Sequence, residues 1–468
     1  MQHNRQFKSS TVKSSVLRPG NRAGLVVVLA LSAVVALACG GSEMEPRSSH
    51  AVIEWASIHA ITVDRLDFSA PVAGLEGLRS SIGSARIVGL GESRHDTREQ
   101  LVLKGMVVRY LVEDLGCRAL ILEESVSHAE SLDRYVRSGE GDLRDLMNGL
   151  AGWYLWDTEE MQDVIRWIRD FNADREPNQH VRIFGVDITA PALGVESVLE
   201  SLEIAGADTR VDARALGLDL QQGDFWPTTW ERYAALSDQR RQELGNNYDE
   251  LISVVTDQRM RIVEALSEEA FERALLMAEI GWAGNALFSS ASREEGGAIR
   301  ERGMAQATLR ILEGEIPGGK AILWAHNLHV ATSSFRMPGL AEGALEPMGV
   351  QLRDELGDAY IAIGGTFGSG TYPADLPPGE RVFEVASEDV MDGALAGVDV
   401  PFFLLDLRGV EQGSAAARWL QQDREWIAQD ARAVLAPSAA FDLVYYVQEI
   451  SRSQPTPLAL QRFQTLGR

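Results

Sequence analysis

The sequence predicts an α/β fold: a mixed, largely parallel sheet flanked by helices, with a helical insertion or cap subdomain. Three observations carry this expectation. Short runs rich in Val, Ile, Leu and Phe recur along the chain. Segments with helical spacing of apolar residues separate most of them. One long charged stretch, poor in Gly and Pro, interrupts the alternation. Strands that alternate with helices pair in parallel, because a parallel neighbour requires a crossover connection.

The apolar runs are, in order, "ARIVGLGE" (85–92), "CRALILEE" (117–124), "VRIFGVDI" (181–188), "KAILWAHN" (320–327), "AYIAIGGT" (359–366), "PFFLLDL" (401–407) and "FDLVYYVQE" (441–449). Runs of this length with little polar alternation read as strands buried on both faces. After the first, Leu101, Val108, Leu111, Val112 and Leu115 repeat at helical spacing, and Asp96 and Glu99 form a D-x-x-E start to that helix. Between about 228 and 316 the pattern becomes charged and helical throughout, predicting three or four long helices placed to cap the sheet's working edge. In the last hundred residues the strands follow more closely, so the sheet is expected to be mixed.

The chain has 468 residues, 45% hydrophobic and 24% charged, with formal net charge −24 and pI about 4.8. Such acidity argues against nucleic acid as a partner. The beginning is the opposite in character. Arg5, Lys8, Lys13, Arg18 and Arg22 are basic, no acidic residue precedes Cys39, and "AGLVVVLALSAVVALA" leads directly into "CGGSE". A basic segment, a short apolar one and small residues before a Cys resemble a bacterial lipoprotein signal. The apolar run is shorter than the roughly 20 residues needed to span a bilayer. The expected organisation is a signal peptide over 1–38, Cys39 as the lipid-modified residue, a flexible tether over 39–50, and one domain over 51–468. The expected location is extracytoplasmic, lipid-anchored to a bacterial cell membrane. Cys117 is then left without a partner, so no intrachain disulfide is expected, and its place at a strand start reads as a small buried residue.

Ligands of parallel α/β sheets bind beyond the carboxyl ends of the strands. There the first run gives Glu92 and His95, the second Glu123 and Glu124, the third Asp187, and the fourth His326 and His329. Three of the chain's eight histidines fall at these ends. Lys104 lies on the apolar stripe of the helix after His95, where a cation needs a partner, and helical side chains lean back towards Glu92 and His95. Trp153 and Trp156, in "GWYLWDTEE", are placed to line a pocket for a bulky apolar ligand or to serve as core contacts. No G-x-S-x-G, no H-E-x-x-H and no cysteine pair occurs, which removes the serine elbow and the common zinc signatures. The His and carboxylate set suits general-base activation of water, with a further His or Lys stabilising the oxyanion. The same groups could hold a metal. A non-catalytic cell-envelope binding protein is the third reading, and the intact Glu92/His95 pair counts against it.

"GLGESRHDTRE…K…RYLVEDLGCRALILEE" resembles the opening of the erythromycin esterase family, and "WYLWDTEEMQDVIRWIRDFNA", "VRIFGVDI", "AIRERGMA", "WAHNLHV" and "MGVQLRDELGDAYIAIGGTFGSGTY" continue the likeness in order, from about 85 to 450. The resemblance implies metal-independent hydrolysis of a macrolide lactone or related ester, with no cofactor, on an α/β core with a helical portion over a cleft. Carried over by position, it implies Glu92 and His95 as carboxylate and general base, Glu123 as a second carboxylate, and His326 and His329 as the later His pair. Lys104 falls where macrolide-inactivating members typically use Arg, which keeps a cation but changes its hydrogen-bonding fork.

Overall fold

Among the described residues nine strands form the main sheet: β1 (Ile61–Thr62), β2 (Ile87–Leu90), β3 (Ala119–Ser125), β4 (Arg182–Asp187), β5 (Ala321–Trp324), β6 (Tyr360–Asp375), β7 (Pro378–Glu384), β8 (Phe402–Asp406) and β9 (Leu443–Ile450). Their order is β1-β8-β9-β6-β2-β5-β3-β4, with β7 paired to β6 alone. The six strands from β9 to β4 are parallel, whereas the β1–β8, β8–β9 and β6–β7 pairs are antiparallel. Each of the seven apolar runs holds one of these strands, and the sheet is mixed and largely parallel, as the sequence predicts. The computed structural model describes residues 49–70, 74–207, 211–221, 226–339, 341–375, 378–384 and 390–466. The expected signal peptide over 1–38, Cys39 and the tether up to residue 48 lie outside them. Among the described residues no helix is long and apolar enough to cross a membrane.

The strands sort their side chains with a period of two between two cores. Ile87, Ala119, Ile121, Ala321 and Leu323 enter one; Val88, Leu90, Leu120, Leu122, Ile322 and Trp324 enter the other. On the second face lies helix α1 (Arg98–Glu113), which buries Leu101, Val108, Leu111 and Val112. The first face is covered by helices from the charged stretch: α2 (Asp238–Asp257), α3 (Glu268–Ser289) and α4 (Arg293–Arg310). In α2 the repeat Leu244, Tyr248, Leu251, Val255 forms the buried stripe. α4 packs on α3 and against β4, which brings it to the carboxyl end of the sheet.

Asp96 and Glu99 do not act as a capping box. Thr97 is the N-cap of α1; Asp96 pairs with Arg94, and Glu99 accepts hydrogen bonds from the backbone and hydroxyl of Ser451. A second sheet, not anticipated from the sequence, is built on a hairpin of Arg424–Ala428 and Ala431–Leu435, extended by Phe335–Arg336 and Ala344–Leu345. Cys117 is buried and unpaired, and burial pushes its thiol up to about 12.

Candidate active site

The ends of β2, β5, β3 and β4 are neighbours in the sheet, so residues distant in sequence converge on one edge. The turn after β2 depends on Gly91: a Cβ there would lie 2.4 Å from Asn327 Oδ1 and 2.9 Å from the Ile363 carbonyl. The tight turn carries Glu92 beneath the surface and lifts His95 to its edge. Glu92 is fully buried, whereas the His95 side chain keeps 13% of its exposure.

Glu92 is held on three sides. Its Oε1 is 2.6 Å from His95 Nδ1, and its Oε2 accepts from Lys104 Nζ at 2.5 Å and from Trp324 Nε1 at 2.9 Å. Burial pushes the Glu92 carboxyl up, but Lys104 and His95 outweigh it and hold the group below the usual carboxylate range. Burial brings the Lys104 ammonium down to about 8 against the pull of Glu92. Lys104 is fully buried, and its Nζ lies 4.3 Å from the centre of the Trp324 ring. The helical placement expected for Lys104 therefore ends on Glu92, behind the surface that a substrate can reach.

A second charged cluster stands beside the first. Glu123 accepts from Arg300 Nη2 at 2.8 Å, His329 Nε2 at 3.0 Å and the His326 amide at 2.9 Å. Although burial opposes it, His329 and Arg300 hold Glu123 well below the carboxylate range. Asp187 receives Arg300 as a fork, Nε at 3.1 Å on Oδ1 and Nη2 at 2.8 Å on Oδ2. The other nitrogen of His329, Nδ1, lies 2.6 Å from Glu301 Oε1. Burial and Arg300, whose Nη1 is 3.1 Å from Nε2, work against a charge on His329, but Glu123 and Glu301 raise it to about 10. Arg300 and Glu301 come from α4 and were not singled out from the sequence as site residues. One arginine among the four of α4 carries no local mark of burial.

The remaining expected residues divide. The ring of His326 is 5.0 Å from that of His95, but both its nitrogens serve the backbone. Nε2–H donates to the Ser93 carbonyl at 3.0 Å, and Nδ1 accepts from the Leu328 amide at 3.2 Å. Burial, aided by His95 and His329, lowers it to about 3, so it is a neutral strut. Glu124 turns towards the loop before Trp153, accepting from the amides of Ser125, Ala151 and Gly152. Burial raises it to about 8. Trp156 sits edge-on to His95 at 6.3 Å, with its buried Nε1 unpaired among the described residues. Trp153 packs instead against Phe463 at 4.9 Å and under Arg462.

Among the described residues no group of three or more His, Cys, Asp and Glu side chains is arranged to hold a metal ion. The nitrogens of His326 are taken by the backbone, and those of His329 by Glu301, Glu123 and Arg300. The arrangement offers a buried carboxylate orienting an accessible imidazole, beside an Arg–His pair matched by three carboxylates.

The family model described as "Erythromycin esterase" matches residues 112–450. Erythromycin esterase type II of Escherichia coli is 25% identical over 414 residues, which cover 81% of this chain and 92% of that protein. A solved structure of a Bacillus cereus protein superposes with TM-score 0.74 at 22% identity, covering 87% of this chain and 99% of the other. An erythromycin esterase mutant solved in its open conformation superposes with TM-score 0.61 at 20% identity, covering 84% and 96%. The two superpositions speak for the fold.

Proposed function

The chain belongs to the erythromycin esterase family and is a carboxylic ester hydrolase of that type, and from that premise we propose that it opens a macrolide lactone or related ester by direct attack of water. The observation that carries the mechanism is the Glu92–His95 pair: a buried, triply held carboxylate 2.6 Å from Nδ1 of a histidine that stays partly exposed.

With Nδ1–H donated to Glu92, His95 Nε2 is the acceptor. A water at Nε2 attacks the ester carbonyl carbon, and its proton passes to Nε2 as the C–O bond forms. The carbonyl π pair moves onto oxygen, which Arg300 Nη1, the guanidinium nitrogen not engaged by Glu123 or Asp187, is the donor to meet. Collapse breaks the bond to the alkoxide, which takes the proton back from Nε2. Glu92 stabilises the transient imidazolium, and Lys104 keeps Glu92 ionised and in place. Glu123 and Asp187 hold the Arg300–His329 pair. Trp156 offers an aromatic wall beside the base.

The full-length chain incubated with a panel of macrolides and simple lactones, ring opening followed by mass spectrometry, tests this reading. His95→Ala is expected to lose about 100-fold or more in kcat, the range for removal of a general base. Activity equal in both proteins would remove His95 from the mechanism, and an acyl-enzyme adduct in the mass spectrum would rule out direct attack. The basic, apolar start ending at Cys39 supports export and a lipid anchor. Metabolic labelling with a fatty-acid analogue should mark the chain and fail to mark Cys39→Ala.

A further inference from the structure

We infer that Gln429 is a positioning residue for His95: the hairpin tip it occupies clamps the loop that carries the base. This rests on the hydrolytic reading above for its consequence, though not for its geometry.

The turn joins Ala428 to Ala431 through two residues, Gln429 and Asp430. Gln429 has φ +53°, one of two non-glycine residues in the left-handed region among the described residues. A two-residue hairpin with positive φ at its first turn position has the pattern of a II′ turn, where glycine dominates because it lacks a Cβ. A glutamine in that place is strained, and strain of this kind persists only where the surroundings over-determine it.

The surroundings are the His95 loop. The Gln429 amide donates to the Ser93 carbonyl at 2.7 Å, and its carbonyl accepts from Arg94 Nη1 at 2.6 Å. Its side-chain Oε1 accepts from the His95 backbone N–H at 3.2 Å. Asp430 adds a 2.8 Å contact to the same Arg94 nitrogen, and the almost wholly buried Arg94 also forks onto Asp96. Three consecutive residues, Ser93 to His95, are thus bound to one turn residue. Glycine would satisfy the turn and the two backbone bonds. Only a side chain with an acceptor at this reach supplies the bond to His95.

The tip is also fixed from behind. Trp426 is buried on the hairpin's first strand, packs with its ring tilted 45° at 4.8 Å from that of Phe441 and donates to the Gly365 carbonyl at 3.1 Å. The Ile427 amide donates to the buried Asp392 at 3.1 Å. The hairpin is an anchored arm and Gln429 is its contact with the catalytic loop.

The test compares wild type with Gln429→Gly, Gln429→Glu and Gln429→Asn in the full-length chain. The readouts are thermal midpoint, the NMR titration of the His95 ring (assigned by its loss in His95→Ala) and steady-state hydrolysis of macrolide and simple lactones. Gln429→Gly relieves the turn, so its midpoint should equal or exceed that of wild type. Its His95 titration should shift, and kcat should fall about 10- to 100-fold with KM nearly constant, as expected for a misplaced catalytic group. Gln429→Glu, which restores an acceptor at the same reach, should recover most of the loss, and Gln429→Asn, one methylene short, less. Wild-type kcat and titration in Gln429→Gly would overturn the inference. So would a lowered midpoint in that variant, or failure of Gln429→Glu to improve on it. If wild type opens no lactone, the hydrolytic reading falls while the His95 titration still decides the role of Gln429.

Discussion

At the scale of single residues the site turns on which buried charges are paired. Glu92 is held ionised in a fully buried place because Lys104, equally buried, pairs with it. Lys104→Met should therefore lower the unfolding free energy read from urea melts by the cost of a buried carboxylate without its counter-ion, about 3–5 kcal/mol. Adding Glu92→Gln should return part of it. The pair also sets an alkaline limit. Above about pH 8 the ammonium loses its proton and Glu92 its counter-ion, so kcat should decline from there, and in Lys104→Arg the decline should move upward because a guanidinium stays charged. Lys104 was legible in the sequence because a cation on an apolar stripe is an anomaly. Arg300 was not, since α4 also carries Arg293, Arg302 and Arg310 and only tertiary packing buries one of them against Asp187. His326 shows the reverse difficulty. It lies where a functional histidine is expected, yet the short helix that follows it, Asn327–Val330, takes its Nδ1 as a cap.

At the scale of elements, strand ends do the placing, and glycine makes the turns tight enough. Gly91→Ala would force a methyl onto the Asn327 side chain and the β6 backbone. The expected cost is about 1–3 kcal/mol, the range for overpacking, read as a lower midpoint in denaturant. Since the turn would shift Glu92, activity should fall further than stability accounts for. The long central strands could be read from the sequence because both their faces are buried. The hairpin that holds Gln429 could not. "REWIAQDARAVL" is half-exposed and its Gln-Asp turn carries none of the Gly or Asn signals that mark a two-residue hairpin. The two-residue strand β1 is too short to show any period at all.

At the scale of the whole molecule, the charged site bears on stability as a function of pH. His329 is raised from 6.5 to about 10 in the fold. A group raised in this way stabilises fully below its unfolded value, and the contribution drains away as pH climbs through the folded value. The midpoint difference between wild type and His329→Gln should thus be largest at or below pH 6.5 and close towards pH 10, which thermal melts across that range would show. The sheet order has a consequence of another kind. β5 lies between β2 and β3 although the whole of α2, α3 and α4 precedes it in the chain. As the polypeptide is synthesised, β2 and β3 emerge early with their facing edges unpaired, and Ile87 and Ala119 must wait for Ala321. Bare edges of that sort invite pairing with other chains, and pairings so remote in sequence form slowly. Nascent chains that stop before β5 will hold Glu92 and His95 without Trp324 and His326, and folding will depend on protection of the open edges until β5, and then β6 on the other side of β2, arrives.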